Sequence, residues 1–214
     1  MSLAQLKADQ VRWLKGCAFA LCLVPLARLA WRAAHHGLGA NPIEYVTHST
    51  GWWTLSLLLI TLSVTPLRRL SGWNWLLRLR RMLGLFAFFY ATLHLTTYLW
   101  LDQFFDWRGM FKDIAKRPFI TVGFAAFVLL VPLAATSTNA MVRRLGAKRW
   151  QRLHRAVYII ASLGVLHFWW LVKKDIREPL IFATLLGLLL LARLFYLNRK
   201  ASTPASRAVR SQVA

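Results

Sequence analysis

Acidic side chains are nearly missing from this 214-residue chain: 7 Asp and Glu stand against 28 Lys and Arg, a formal net charge of +21. Charge of either sign is scarce at 16% of residues, where a soluble domain carries about 25%. Two cysteines, Cys17 and Cys22, exclude a disulfide framework and a cysteine-ligated iron–sulfur cluster. There is no internal repeat and no glycine-rich phosphate-binding turn, and no polar segment is long enough to form a domain of its own. What is present is apolar: 57% hydrophobic residues, 11 Trp among them, and a mean hydropathy of +0.45. A basic excess alone would point to nucleic acid, but a nucleic-acid-binding domain is not this apolar. The combination reads as a polytopic membrane protein whose Lys and Arg lie in cytoplasmic loops.

Six apolar stretches stand out: Trp13–Ala30, Ser49–Pro66, Met82–Leu101, Phe119–Ala135, Leu153–Val172 and Pro179–Leu197. Each is close to the roughly 20 residues a helix needs to cross a bilayer. Backbone groups in lipid must be satisfied internally, so these are expected to be helices, and the short alternating segments of a barrel are missing. The fold class expected is therefore an all-α integral membrane protein, a six-helix transmembrane bundle.

Charge sets the orientation. The two termini, Leu67–Arg81 and Thr136–Arg155 concentrate the basic residues and hold a single acid, Asp9. The alternate segments, with Arg28 and Arg32, Asp102–Arg117 and Lys173–Glu178, hold the other acids. The positive-inside rule then puts both termini in the cytoplasm. Residues 1–12 are the cytoplasmic N-terminus, 13–197 the bundle, and 198–214 a basic tail too polar to pack and expected to be disordered. The basic start and apolar run ending at Ala33–Ala34 faintly resemble a secretory signal peptide. Lys15 inside that run, and five further spans with no soluble domain to export, favour an uncleaved first helix.

Of six histidines, His35, His36 and His48 fall in or beside the first outer loop, where an imidazole is cheap. His94 and His167 lie within expected spans, where an ionisable side chain is a functional candidate; the bland alternative is an imidazole bonded to a neighbouring helix. Both spans run outward, and both histidines lie a few residues before their ends. At about 1.5 Å per residue they differ in depth by only about 3 Å. Two imidazoles facing each other at one level can supply both axial ligands of a haem iron, and burial favours the neutral form that iron needs. His154 lies thirteen residues before His167, about 20 Å toward the cytoplasm, and is a candidate inner haem ligand. An ideal helix turns it about 140° away from His167, and the matching positions on the third helix are Arg80 and Arg81 rather than histidine. The alternative for His154 is an interfacial residue meeting lipid phosphate beside Arg152 and Arg155.

Taken in order, His94, Arg143-Arg144-Leu145-Gly146, Trp150, Leu153-His154-Arg155 and His167, with the Thr136-Ser137 exit from the fourth span, resemble the ferric-reductase-type transmembrane domain. Within that superfamily the chain is similar, over all six spans, to the haem-binding membrane subunits of bacterial methionine-sulfoxide repair systems. No appended flavin or NAD(P)H domain of the NADPH-oxidase kind is expected. The resemblance implies haem b, one or two, and FMN, with electrons arriving from quinol or a cytoplasmic flavin reductase. They leave to a periplasmic molybdopterin-containing reductase that repairs oxidised periplasmic proteins. It also implies a bacterial inner-membrane location, His94 and His167 as outer haem ligands and His154 as the inner histidine. The family's NADPH oxidases carry an inner histidine on the third helix where this chain has arginine.

A haem with two protein ligands has no open position and suits electron transfer, so no catalytic residue is expected. The inner arginines serve topology and attraction to anionic lipid. Arg80, Arg81 and Arg152 are candidates to hold the FMN phosphate or a haem propionate. The segment Asp102–Arg117, with Phe104, Phe105 and Trp107, reads as an interfacial aromatic belt or as a docking surface for a soluble partner. Cys17 and Cys22 read as small packing residues. Two other functions fit the composition: a stand-alone ferric or quinone reductase, and a non-redox transporter or scaffold with structural histidines.

Overall fold

A computed structural model of the chain describes residues 6–201. Nine α-helices and no strand occur among them: α1 Ala8–Ala34, α2 Pro42–Ser71, α3 Leu77–Thr96, α4 Trp107–Lys116, α5 Pro118–Ala135, α6 Asn139–Leu145, α7 Ala147–His154, α8 Ala156–Leu171 and α9 Arg177–Ala201. The punctuation is local. Pro42 and Pro118 open α2 and α5 at the first turn, where a missing N–H costs nothing. Asn41 caps α2 by accepting the Glu44 N–H, and Gly72, at φ 74°, closes it in the left-handed region.

Paired residues fix the packing. On α2 and α3, His94 meets Thr47 and Gly84 faces Thr61, so the two helices run antiparallel. Helix α5 runs antiparallel to α8, through Phe119–His167 at one end and Thr136–His154 at the other. Phe88 stacks on Phe127, joining α3 to α5, and Phe182 of α9 meets Trp52 of α2 and Phe168 of α8. The core lies along these seams, with Leu55, Leu58, Ala87, Ile160 and Ala161 buried. Leu21 and Trp31 on α1, and Leu188, Leu191 and Leu194 on α9, are exposed. An apolar exterior of this extent suits lipid, not water.

Five elements are long and apolar enough to cross a membrane: Ala8–Ala34, Pro42–Ser71, Asn74–Asp102, Pro118–Ala135 and Arg177–Asn198. This differs from the six expected. The stretch Leu153–Val172 is divided at Arg155, and α8 has 16 residues, about 24 Å of helix. Helix α9 continues through Ala201, into the segment expected to be the tail; the rest of that segment, residues 202–214, lies outside the described residues. The third span ends in a π-helical turn, Thr97–Asp102. The segment expected to be a loop, Asp102–Arg117, contains α4, capped by Asp106. Two consecutive phenylalanines ahead of it, Phe104 and Phe105, have positive φ and are exposed.

Helix α1 is joined to α3 through a break in its own ladder. At Pro25 the hydroxyl of Tyr90 donates to Cys22 O at 2.7 Å and accepts the Leu26 N–H at 3.2 Å. A buried side chain from α3 thus stands in for a helical hydrogen bond of α1.

Candidate functional site

His94 projects from the last turns of α3 and His167 from the last turns of α8. Their ring centroids lie 6.0 Å apart, with planes inclined at 79°. The His94 Nδ1–H donates to the Thr47 carbonyl of α2 at 2.9 Å. The His167 Nδ1–H donates to the Phe119 carbonyl of α5 at 2.7 Å. Each bond fixes one tautomer: the proton sits on Nδ1, and Nε2 keeps a free lone pair. Ligating histidines are held in this way, with the second nitrogen bonded to a carbonyl or carboxylate. Two metal–nitrogen bonds of about 2 Å each would put opposed imidazole centroids roughly 6 Å apart, the spacing observed. The residues present therefore fit a bis-imidazole iron. Among the described residues no group of three or more His, Cys, Asp or Glu is placed to form an all-protein metal cage.

The two seats are built alike. In each, the residue four positions beyond the accepting carbonyl is glycine: Gly51 after Thr47 and Gly123 after Phe119. A Cβ at Gly51 would lie 3.0 Å from Cε1 and Nδ1 of His94; one at Gly123 would lie 2.6 Å from Nδ1 of His167. The missing side chains open the helix flank, so each imidazole lies against the backbone and reaches the carbonyl one turn back. Around His94 the polar groups close on one another. The Thr47 hydroxyl donates to the Thr97 hydroxyl, which donates to the His94 carbonyl at 2.8 Å. Thr97 opens the π-helical turn, a feature frequent at functional sites.

At the other end of the bundle, His154 closes α7. Its Nε2–H donates to the Thr136 hydroxyl at 3.0 Å, and that hydroxyl donates to Pro132 O at 2.6 Å. Trp150 stacks on the imidazole at 3.9 Å and donates its indole N–H to Thr136 O. Burial first, then the charges of Arg80 and Arg81, push the His154 pKa down from 6.5 to about 4. The break at Arg155 removes the 140° turn expected of a continuous helix, because His154 and His167 belong to different helices. His154 lies within the electrostatic reach of Arg80 and Arg81, and its ring partner among the described residues is Trp150, not a second imidazole. Arg81 donates to Asn139 Oδ1 at 2.7 Å; Arg152 is exposed. None of the three arginines has a carboxylate partner among the described residues.

Among the remaining histidines, His35 bonds and stacks on Trp31. His48 lies 3.7 Å from Glu178 and against Phe168, next to the His167 seat. The seats themselves, Gly51 and Gly123 with the carbonyls of Thr47 and Phe119, have no signature in the sequence, since a glycine in an apolar helix marks nothing by itself.

Residues 50–165 match the family described as ferric reductase like transmembrane component. That stretch includes Gly51, His94, Gly123 and His154 and ends two residues before His167. The chain is 60% identical over 195 residues to the protein-methionine-sulfoxide reductase heme-binding subunit MsrQ of Herminiimonas arsenicoxydans, covering 90% of this chain and 89% of that one. It is 56% identical over 200 residues to the MsrQ subunit of Ralstonia nicotianae, covering 92% of each. With that of Bordetella pertussis the identity is 53% over 192 residues, covering 89% of this chain and 93% of the other. Likeness of this degree over nearly the whole chain settles the relationship: the chain belongs to the ferric-reductase-like transmembrane family, among the MsrQ subunits.

Proposed function

We propose that the chain is a transmembrane electron-transfer subunit that holds one haem b between His94 and His167. It delivers electrons to a periplasmic, molybdopterin-containing methionine-sulfoxide reductase of the MsrP type. The observation that carries this reading is the pair of imidazoles from α3 and α8, their ring centroids 6.0 Å apart, with both Nδ1 protons given to backbone carbonyls. When bound, haem would supply reversible one-electron transfer, with His94 and His167 as the residues that hold it. The protein's own part is positional. The carbonyls of Thr47 and Phe119 hold the tautomers, Gly51 and Gly123 admit the rings, and the Thr47–Thr97–His94 ring of hydrogen bonds keeps α2 and α3 in register. The similar proteins are named as haem-binding subunits of a methionine-sulfoxide reductase, which supports both the cofactor and the partner.

In this reading the arginine-rich end is cytoplasmic, α8 is the sixth crossing, and both termini lie inside the inner membrane of a bacterium. Antiparallel packing of α8 on α5 and α9 supports that topology. Electrons enter at the arginine end from quinol or a cytoplasmic flavin reductase. Arg80, Arg81 and Arg152, free of carboxylates, would hold an anionic group there, the phosphate of FMN or a haem propionate. His154 serves as a pin for the α5–α7 corner, its Nε2–H committed to Thr136.

A visible spectrum of the detergent-purified protein tests the core of this. Reducible low-spin haem bands are expected, lost in His94→Ala and in His167→Ala and kept in His154→Ala. A folded wild-type protein that takes up no haem refutes the reading. The partner is tested separately, by co-purification with a periplasmic molybdoenzyme.

A further inference from the structure

At the arginine-rich end, between α2, α8 and α9, a narrow cleft brings together Leu62, Pro66, Arg69, Tyr158, Arg193 and Tyr196. Arg193 interrupts the apolar run of α9, where a charged side chain is costly unless it meets a partner. Its guanidinium lies over the Tyr158 ring, 4.2 Å from the centroid, and donates to the Tyr158 hydroxyl. Arg69 lies over the Tyr196 ring at 4.7 Å. Each guanidinium carries five N–H donors, and stacking on a ring uses none of them. Among the described residues no carboxylate pairs with either. Of the seven acids, Asp9 pairs with Arg12 and the others belong to the opposite end of the bundle. Two guanidinium groups thus line one cleft, and among the described residues the hydrogen bond of Arg193 to Tyr158 is the only one either makes.

We propose that this cleft is a binding site for the phosphate of an amphiphile, with Arg69 and Arg193 as its ligands. Phosphate offers several strong acceptor oxygens to which guanidinium forks bind bidentately. The tyrosine rings hold the two guanidinium groups at the cleft, where Leu62 and Pro66 would lie against the ligand's apolar part. An anionic phospholipid headgroup and a free phosphate present the same group, and experiment separates them. The site lies at the end of the bundle away from His94 and His167 and does not depend on the haem reading.

The test uses full-length protein in phosphatidylcholine nanodiscs with and without phosphatidylglycerol, with retained lipid read by native mass spectrometry. Within the cleft each guanidinium makes charge-assisted hydrogen bonds to the phosphate, and losing one weakens binding by about tenfold, so the double variant R69Q/R193Q should lose roughly a hundredfold in phosphatidylglycerol retention. The double variant R78Q/R144Q removes the same charge from the same end outside the cleft and should retain the lipid as wild type does. Single Arg→Lys variants keep the charge but lose the fork, and should fall between. If inorganic phosphate displaces the lipid from wild type, the headgroup phosphate alone is recognised; if it does not, the lipid's apolar part is needed as well. Equal retention by wild type and R69Q/R193Q, or an equal loss in R78Q/R144Q, overturns the proposal. Unchanged thermal unfolding of each variant shows that the effect is binding rather than folding.

Discussion

Gly123→Ala is a small change with a large expected consequence. The added carbon would lie 2.6, 2.9 and 3.1 Å from Nδ1, Cε1 and Cγ of His167, where ordinary contact begins near 3.4 Å. The imidazole must retreat by about 0.8 Å, because parting α5 from α8 would forfeit close-packed contacts along their length. That retreat stretches the Nδ1–H bond to Phe119 O, 2.7 Å in the native seat, to about 3.5 Å, beyond useful hydrogen-bond range. It also exceeds the roughly 0.2 Å by which metal–ligand distances vary. Overpacking costs about 1–3 kcal/mol, which corresponds to roughly 5- to 150-fold weaker haem binding if it falls on the bound state. The assay is haem content per protein together with visible and electron paramagnetic resonance spectra. Occupancy should fall, and remaining haem should shift from low-spin six-coordinate to high-spin. Gly51→Ala, with its Cβ at 3.0 Å from the His94 ring, should do the same more mildly. Gly187→Ala, with nothing within 4 Å, should leave both readouts unchanged. Wild-type occupancy and spectrum in Gly123→Ala would refute the seat.

Tyr90→Phe strips one hydroxyl but leaves the Leu26 N–H and Cys22 O unpaired at Pro25; thermal unfolding in detergent should show a loss of about 1–3 kcal/mol with the haem spectrum retained. Thr136→Val removes the acceptor of the His154 Nε2–H and the donor to Pro132 O, so the α5–α7 corner should become more sensitive to limited proteolysis, with His94–His167 haem unaffected. Because the His154 pKa falls from 6.5 to about 4 on folding, the unfolded chain binds a proton that the folded chain refuses between those values. Stability is then lost as pH falls through that window, and His154→Gln should flatten the slope in unfolding midpoints measured from pH 7 to pH 4.

Apolar runs of membrane length are legible because lipid demands them, and all six stretches are helical but for the break at Arg155 and the last residue, Val172, of the fifth. Their ends were less legible. The break at Arg155 follows from no proline or glycine, and it depends on Trp150 and His154 folding back onto Thr136, a contact between segments. Helix α4 hides in a polar stretch because its apolar face is short and shared with exposed aromatics. His94 and His167 stood out because an imidazole in an apolar span is rare. The glycines beneath them did not, since their meaning lies in what another helix places against them. Neither Arg69 nor Arg193 stands out in the sequence, and only tertiary packing brings them to one cleft.

The acceptors that orient both imidazoles are peptide oxygens, and every residue type carries one. Exchange of Phe119 for another apolar residue leaves that anchor intact, so drift at such a position is silent toward the cofactor. A side-chain carboxylate in the same role could be erased by one codon. Here the tautomer is written into the main chain, and heredity can disturb it only by adding bulk beside it.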